Sequence, residues 1–427
     1  MRETKNSDFE WIGEIPAEWG LSKIGQVYRL RNTKVSDTDY PPLSVTNKGI
    51  VPQLDTAAKT NAHDDRKLVR RGDFAINSRS DRRGSCGISD YDGSVSLINT
   101  ILAPLGEMNP NYYNWLFHTI QFADEFYKWG HGIVDDLWTT GWQDMKRIMI
   151  PVPPLQEQKI IADFLDTKCA EIDALTADIQ TQIDTLEQYK RSVITETVTK
   201  GLNPNAEMKD SGIDGAGVTP SHWKTTRLCY ECYIRARLGW RGLKADEYVE
   251  EGYAFISAFN IQNGKLVWTP LNYITKERFD ESPEIKLHSG DVLIVKDGAG
   301  VGKCARVDDL PMGGTTPNSS IAVITPSKNL NYRYVCYYLQ SAVFNNFVLL
   351  LYNGMGVPHL TQEVMSKIKI LVPPLKEQMV ISDYLDAKCT EIDAVVETKK
   401  AQLATLDEYK KSLIFEYVTG KKEVPIS

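Results

Sequence analysis

Three stretches of the sequence contain residue types that could take part in chemistry, and the first is a glycine-rich loop. Gly298-Ala-Gly-Val-Gly-Lys303 follows a strand-like apolar run, as the phosphate-binding loop of a nucleotide-binding protein would. In such a loop one glycine directly precedes the lysine and another stands five residues before that glycine. A serine or threonine follows the lysine and holds magnesium. Asp297 and Cys304 stand at those positions, which argues against ATP binding. The loop could contact a phosphate through its amides and Lys303, or it could be an ordinary hairpin.

The other two stretches are a cysteine pair and an asparagine tetrapeptide. Cys229 and Cys232 have the spacing of half a zinc site, but the sequence has no second pair at a matching spacing, so we interpret them as structural thiols. Asn109-Pro-Asn-Tyr112 is similar to the tetrapeptide with which adenine methyltransferases hold a flipped base, but it lacks the second proline. The six scattered histidines complete no nucleophilic pair or triad. We therefore predict a noncatalytic chain without a metal site.

Basic side chains cluster in both halves of a chain that is acidic as a whole. The 427 residues include 49 lysines and arginines against 56 aspartates and glutamates, a net charge of −7 that argues mildly against a nucleic-acid partner. Residues 66–83, however, contain seven basic and two acidic side chains. Arginine suits both phosphates and base edges, although a charge run is more often a solvated surface.

We take the basic residues of these clusters as candidate DNA contacts. In the first half they are Arg66, Lys67, Arg70, Arg71, Arg79, Arg82 and Arg83. In the second half they are Arg235, Arg237, Arg241, Lys244, Lys296 and Lys303.

An internal repeat organises the sequence around these candidates. Residues 153–200 align without a gap on residues 373–420, with 25 identities in 48 positions. Upstream, the motif that ends at Trp19 returns at Trp223. Between these constant parts the sequences diverge, but a skeleton of residues is shared: Gly72-Asp73 with Gly290-Asp291, Gly84 and Cys86 with Gly302 and Cys304, and Asn109 and Tyr112 with Asn329 and Tyr332. A duplicated frame with divergent inserts suggests one operation performed at two places with two specificities.

The constant segments have the pattern of long amphipathic helices. Apolar residues recur every seven positions, as in a coiled-coil seam. The predicted seam consists of Leu165, Ile172, Ile179, Leu186 and Val193 in the first copy and Leu385, Ile392, Leu406 and Leu413 in the second, with Cys169, Leu175, Ile183, Tyr189, Val395, Val396, Leu403 and Tyr409 at intermediate positions. Lys399 replaces the isoleucine of the first copy and interrupts the stripe. Each helix could pair with the other, or pack only onto its own variable segment.

The variable segments contain short β-type runs followed by an aromatic helix. The runs are residues 73–77, 95–102, 292–295 and 321–324, and the helices begin at Tyr112 and Tyr332. We expect the aromatic residues to form cores. The predicted fold is α+β: two α+β domains separated by two long helices that form an antiparallel coiled coil with an internal pseudo-twofold repeat. The predicted domains are 1–152, helix 153–200, 201–372, helix 373–420 and a tail, 421–427.

Together these features resemble the specificity subunit of type I restriction-modification enzymes. The resemblance is carried by Trp11-Ile-Gly-Glu-Ile-Pro-Ala-Glu-Trp19, by the repeated Pro-Pro-Leu-x-Glu-Gln junctions at 153–158 and 373–378, and by the duplicated variable–helix layout. It implies that each variable segment is a target-recognition domain that reads one half of a split DNA sequence. The helices would set the spacing between the halves.

The resemblance also implies the partners. Two modification (methyltransferase) subunits would use S-adenosylmethionine on adenine, and ATP-dependent restriction subunits would use ATP and magnesium, while this chain would bind no cofactor of its own. The rival interpretation is a coiled-coil protein–protein adaptor with two recognition modules and no DNA binding, which the net charge favours. Because no apolar run is long enough to cross a bilayer and the charged first residues have no signal-peptide core, we expect no membrane partner and a cytoplasmic location.

Overall fold

The computed structural model describes residues 2–54, 63–132, 138–237, 243, 247–298, 300–351 and 359–425. The chain folds into two compact units, and the division falls within both long helices. The first unit contains Met1–Gln180 and Ala401–Ser427, and the second contains Thr181–Lys400. Each unit therefore combines one variable segment with the beginning of one long helix and the end of the other.

The first unit is built from short strands and helices before its long helix begins. Its strands are β1 (Thr4–Asn6), β2 (Glu14–Pro16), β3 (Gly20–Lys23), β4 (Tyr28–Leu30), β5 (Lys34–Val35), β6 (Leu43–Thr46), β7 (Gly49–Pro52), β8 (Arg66–Val69), β9 (Phe74–Asn77), β10 (Cys86–Ile88), β11 (Gly93–Ser96), β12 (Asn99–Pro104) and β13 (Met149–Val152). Its helices are α1 (Ile24–Val27), α2 (Pro110–Phe117), α3 (Ile120–Lys128), α4 (Trp142–Met145) and the first part of α5 (Leu155–Lys200).

An antiparallel sheet of order β10-β9-β12-β4 forms the centre of the first unit. Its strands are rich in apolar and β-branched residues, and α2 and α3 cover it with aromatic rings. The Phe117 ring lies 4.9 Å from that of Phe74 and 4.5 Å from that of Phe122, and all three side chains are buried. The prediction that the aromatic helix supplies core residues is confirmed. The predicted run 95–102 is two strands, β11 and β12, because a turn at residues 97 and 98 interrupts it.

The second unit repeats this plan with a larger main sheet, of six strands instead of four. Its strands are β14 (Met208–Asp210), β15 (Val218–Pro220), β16 (Lys224–Arg227), β17 (Cys232–Arg235), β18 (Tyr253–Ile256), β19 (Ile261–Gln262), β20 (Gly264–Leu266), β21 (Asn272–Ile274), β22 (Val292–Val295), β23 (Cys304–Arg306), β24 (Thr315–Pro317), β25 (Ile321–Pro326) and β26 (Lys369–Val372). Its helices are α6 (Leu228–Glu231), α7 (Lys276–Asp280), α8 (Tyr332–Gln340), α9 (Ala342–Leu351), α10 (Gln362–Ser366) and the first part of α11 (Leu375–Val418). The main sheet has the order β17-β25-β22-β23-β20-β19.

The two long helices, α5 and α11, pair in antiparallel orientation within each unit. In the first unit the rings of Phe164 and Tyr417 lie 4.5 Å apart, and the Lys410 amine lies 2.6 Å from an Asp173 carboxylate oxygen. In the second unit the equivalent Lys190 amine lies 2.6 Å from Asp393. The second unit also has a contact between Gln182 and Lys399. In both units, therefore, residues further along α5 contact residues earlier in α11, and the prediction of an antiparallel coiled coil is confirmed. Each helix also contacts the variable segments, so the alternative in which it packs only onto its own module is wrong.

None of the nine predicted seam residues is exposed in the structure. Leu165, Ile172, Ile179, Leu385, Ile392 and Leu413 are buried, and Leu186, Val193 and Leu406 are half-buried. Of the predicted intermediate residues, Cys169, Ile183 and Val396 are also buried, and Leu403 is half-buried. Leu175, Tyr189, Val395 and Tyr409 are instead exposed, because they lie one position off the 3-4 spacing that faces the partner helix. Lys399 lies on the seam, where its amine donates to the Gln182 amide oxygen.

The repeated junction motifs are explained by contacts that recur in both units. The Trp19 indole donates to Glu157 at 2.8 Å, and the Trp223 indole donates to Glu377 at 3.0 Å. The Gln that follows each glutamate donates to the carbonyl of the proline five residues earlier, Pro153 or Pro373. The tryptophan motif and the Pro-Pro-Leu-x-Glu-Gln motif therefore occur together because they bind each other.

The structural equivalents of Asn109 and Tyr112 are shifted by two residues from those that the sequence predicts. Asn109 and Asn331 are the helix N-caps of α2 and α8, and the backbone N–H of each donates to the glutamine of the nearby junction. The Tyr112 hydroxyl donates to the Val418 carbonyl, and the Tyr334 hydroxyl donates to the Val198 carbonyl. The pairing of Asn109 with Asn329 is therefore wrong, because the side chain that caps the helix is that of Asn331.

No single helix among the described residues is both long and apolar enough to cross a membrane. The bent pair Tyr332–Gln340 and Ala342–Leu351 would pass that test together, with an angle of 57° between the helices.

An ion network fixes the start of α11 to the second module. The Asp386 carboxylate accepts from Arg306 at 2.6 Å, Arg333 at 2.8 Å and the Tyr337 hydroxyl at 2.6 Å. Burial disfavours the charged carboxylate, but these three donors hold the pKa of Asp386 below its ordinary value. A group with a depressed pKa stabilises the fold above the pKa of the unfolded chain, about 3.9, and this contribution is lost as the pH falls through the folded value.

We expect Asp386→Ala to lower the free energy of unfolding by about 2–3 kcal/mol, since it leaves two partly buried guanidinium groups without their shared acceptor. Denaturant unfolding at pH 7 measures this effect. The matched control is Asp383→Ala, because Asp383 pairs with the same Arg333 but is exposed, and we expect it to cost less than about 1 kcal/mol. Equal effects for the two substitutions would contradict the role of the network.

Candidate nucleic-acid interface

Each unit carries a loop at the same position in its main sheet. In the first unit residues 78–85 connect β9 to β10, and in the second unit residues 296–303 connect β22 to β23. Gly84 and Gly302 have φ of +73° and +90°, a left-handed backbone that allows each loop to turn back into its sheet. The cysteine that begins each return strand is buried against α2 or α8, with its sulfur near the Phe117 or Cys336 carbonyl. The shared Gly and Cys residues of the sequence skeleton therefore build the same loop twice.

A second segment of the chain supports each loop. In the first unit the Ser80 N–H donates to the Trp138 carbonyl and the Thr140 N–H donates to the Ser78 carbonyl, both at 2.9 Å. In the second unit the Leu360 N–H donates to the Lys296 carbonyl at 2.9 Å. We name residues 78–85 with 138–140 the first tip, and residues 296–303 with 359–360 the second tip.

The first tip brings three of the candidate arginines together. Arg79 and Arg82 share Asp81, at 3.1 and 3.8 Å, while Arg83 pairs with Asp124 and lies over the Tyr127 ring. The side chains of Arg82 and Arg83 are 68% and 53% exposed. The three guanidinium groups pair with only two carboxylates, so the tip keeps a positive charge. Its N–H donors are open to solvent, and guanidinium donors suit contacts to phosphates or base edges.

The second tip presents two of the candidate lysines. Lys296 pairs with Asp297, and the His359 Nδ1 lies 2.6 Å from the same carboxylate. Although burial disfavours its charge, the bonds from His359 and Lys296 hold the pKa of Asp297 below its ordinary value. Lys303 is exposed, and its amine has no acceptor among the residues that the structure describes. The free positive charge of this tip is therefore that of Lys303.

Four candidates of the first module lie outside the first tip, Arg66 and Lys67 on β8 and Arg70 and Arg71 in the turn before β9. Arg66 is buried and donates to the Ser94 hydroxyl and carbonyl, and the Lys67 amine donates to the Asn99 carbonyl at 2.7 Å. Burial lowers the pKa of both side chains. The prediction of Arg66 as a DNA contact is corrected because its side chain is buried, while Lys67 is half-buried and its DNA contact stays a prediction. Arg70 is exposed but paired with Asp92, and Arg71 is exposed.

Arg235 is also corrected from a DNA contact to a structural residue. It is buried and donates to Asp291 at 2.7 Å, as Arg31 donates to Asp73 at the same place in the first unit. The aspartate of the repeated Gly-Asp skeleton is thus one half of an ion pair that links the two strands on either side of β12 in the first unit and of β25 in the second. Arg237 has a buried guanidinium 3.4 Å from Glu281. Arg241 and Lys244 lie outside the described residues.

The stretches that could have carried catalysis serve the fold. The loop 298–303 joins two antiparallel strands, β22 and β23, whereas a P-loop precedes a helix, so the loop is not a P-loop, and a contact of Lys303 with a phosphate stays a prediction. The Asn109 side chain accepts from the Tyr112 N–H at the start of α2. Cys232 is buried in the core and the Cys229 thiol donates to the Ser366 carbonyl. Among the described residues no group of three His, Cys, Asp or Glu side chains could hold a metal ion.

Comparison with known families decides what this duplicated frame is. A family model described as the type I restriction modification DNA specificity domain matches residues 16–185 and 239–405, which together exceed half of the chain. The chain belongs to this family. It is a type I specificity subunit, and the two matched stretches correspond to its two target-recognition repeats, so the resemblance inferred from the sequence is confirmed.

Individual relatives support the assignment. The type I restriction enzyme MjaVIII specificity subunit of Methanocaldococcus jannaschii is 26% identical over 318 residues, which cover 73% of this specificity subunit and 70% of that one. The EcoBI specificity subunit of Escherichia coli is 22% identical over 279 residues, covering 64% and 58% of the two chains.

Two solved structures share the fold of this specificity subunit. A chain from a study of complex assembly and conformational transition in the type I R-M system has a TM-score of 0.72 at 17% identity, covering 96% of this chain and 99% of that one. The HsdS subunit from Thermoanaerobacter tengcongensis has a TM-score of 0.50 at 19% identity, covering 98% and 100%. Identities this low show the common fold alone.

Proposed function

We propose that this specificity subunit reads a bipartite DNA target, with each module recognising one half. The observation that carries the proposal is the occurrence of a solvent-exposed basic tip at the same place in both modules. The shared scaffold around the tips has the same strands, glycine turns and ion pairs, while the tips differ in sequence: three arginines in one and two lysines in the other. Equal placement with different side chains is expected of two readers of different sequences.

The proposed partners are two modification subunits and the restriction subunits, bound through the helices. The long helices carry exposed apolar side chains in both units, Leu175 and Tyr409 in the first and Tyr189 and Val395 in the second. These side chains are 42–54% exposed, and they are not part of the buried seam. Because one pair is the repeat of the other, the surface suits a partner that binds twice. S-adenosylmethionine, ATP and magnesium would then be bound by the partners, and this chain would contain no active site.

Mapping of modified adenines tests the proposal. The chain is co-expressed with its modification subunits in a host without other adenine methylation, and the genome is sequenced with detection of modified bases. We expect one motif with two specified parts and a gap of fixed length. Modification subunits expressed without this chain are the control. If the complex assembles but no motif is modified, the chain is a protein–protein adaptor.

A further inference from the structure

Each module has a β-hairpin beside the strand that follows its glycine loop. In the first unit β6 and β7 form the hairpin, and Gly49 on β7 packs so tightly on β10 that a Cβ at Gly87 would lie 2.7 Å from the Gly49 Cα. In the second unit β19 and β20 form it, and β20 pairs directly with β23. Because β10 and β23 are the equivalent strands, the two hairpins occupy the same place in the two modules.

The tips of these hairpins contain the same residue types in otherwise divergent sequence. The first has Asn47-Lys48-Gly49 and the second has Asn263-Gly264-Lys265. Turn geometry explains part of this likeness, since Gly49, Asn263 and Gly264 have φ of +101°, +50° and +78°, and asparagine and glycine tolerate a left-handed backbone. The turn does not require a lysine. Lys48 and Lys265 therefore need another explanation.

The two lysines are exposed positive charges. Neither amine has an acceptor within the described part of the chain, and both side chains lie at the surface. Lys265 of the hairpin and Lys303 of the second tip both line one groove of about 850 Å³. Across this groove the helix cations are neutralised, because Lys190 pairs with Asp393 and Lys400 pairs with Glu397. The unbalanced charge of the groove therefore comes from the hairpin and the tip, which lie on the same module.

We propose that the hairpin tips Asn47–Gly49 and Asn263–Lys265 contact the phosphate backbone of the DNA beside each half of the target. The proposal rests on the proposed function and adds a second contact in each module to those of the two tips. A lysine amine is a compact charge that binds a phosphate without distinguishing bases, so the hairpins would hold the duplex while the tips read it.

The test is the salt dependence of DNA binding by the complex of the full chain with its modification subunits. Each lost phosphate contact reduces the slope of log affinity against log salt by about 0.9. We expect Lys48→Ala with Lys265→Ala to reduce the slope by about 1.8 and to weaken target and non-target duplexes by the same factor. The modified motif should stay the same, and Lys48→Arg with Lys265→Arg should retain the slope.

A matched control is Lys23→Ala with Lys276→Ala, which removes two exposed lysines elsewhere on the same modules and should leave the slope unchanged. If the parent complex binds DNA and the hairpin variant has an unchanged slope and affinity, the hairpin proposal is wrong while the proposed function stands. If the hairpin variant changes the modified motif, the lysines read bases and the backbone role is wrong. Absence of DNA binding by the parent complex would instead contradict the proposed function.

Discussion

The triple substitution Arg79→Glu, Arg82→Glu and Arg83→Glu is expected to lower the affinity of the complex for its DNA target at least a hundredfold. These side chains form the exposed positive surface of the first tip, and their carboxylate partners neutralise two of the three charges. Each arginine contact to DNA contributes about 1–3 kcal/mol, and reversal adds repulsion from the phosphates. Filter binding against heparin-challenged duplex, over a range of salt concentrations, measures the affinity and the salt slope.

The basic segment 66–83 supplies its own control, because its arginines lie at both ends of β9. Arg70→Glu with Arg71→Glu reverses two exposed charges at the end away from the first tip. We expect this variant to bind nearly as the parent does, and both variants to unfold at the parent temperature. If the control variant lost DNA binding while the triple variant retained it, the DNA surface would lie at the other end of β9, and its placement at the first tip would be wrong.

The repeat and its helices were predictable from the sequence because their signals are local. Heptad spacing places Leu165, Ile172 and Ile179 on one face whatever the partner is, and the structure buries all three. The identical spacing in residues 373–420 identified the partner as well. The Gly-Asp and Gly-x-Cys residues of the skeleton were likewise visible, since turn geometry requires glycine there.

The DNA candidates were harder to predict because a run of basic residues does not reveal which charges the fold uses. Arg66 and Arg79 are 13 positions apart in one cluster, yet Arg66 is buried against Ser94 and Arg79 lies at the tip. Arg235 could have been separated from the other candidates by one signal. It stands 204 residues after Arg31, the offset of the two tryptophan motifs, and both arginines bind the aspartate of a Gly-Asp pair. An arginine kept in both repeats is more simply structural than base-reading.

Each unit anchors the beginning of one long helix and the end of the other. In the first unit Glu157 of α5 accepts from Trp19, and Val418 of α11 accepts from Tyr112. The second unit repeats these contacts at Glu377 and Val198. Between these anchors the helices are held by the seam and by the pairs Asp173–Lys410 and Lys190–Asp393, which are related by the internal repeat. The middle of the helix pair can therefore be lengthened by whole heptads without disturbing an anchor.

We expect insertion of one heptad after Gln180 and one after Lys400 to widen the unspecified gap in the DNA target by about three base pairs. Both sites lie between the pairs Asp173–Lys410 and Lys190–Asp393, where the chain divides into its two units. Seven helical residues add about 10.5 Å, and a base pair occupies about 3.4 Å of duplex. Mapping of modified adenines measures the new gap, and the two specified parts should keep their sequences.

Two further variants separate a ruler from a simple support. A heptad in α5 alone leaves α11 too short to satisfy both anchors, so we expect loss of modification rather than a new gap. Insertion of two residues in each helix turns the seam about 200° away from its partner, because an α-helix has 3.6 residues per turn, and should destabilise the pair. If the matched heptads leave the gap unchanged while the motif is still modified, the helices hold the modules but do not set their spacing.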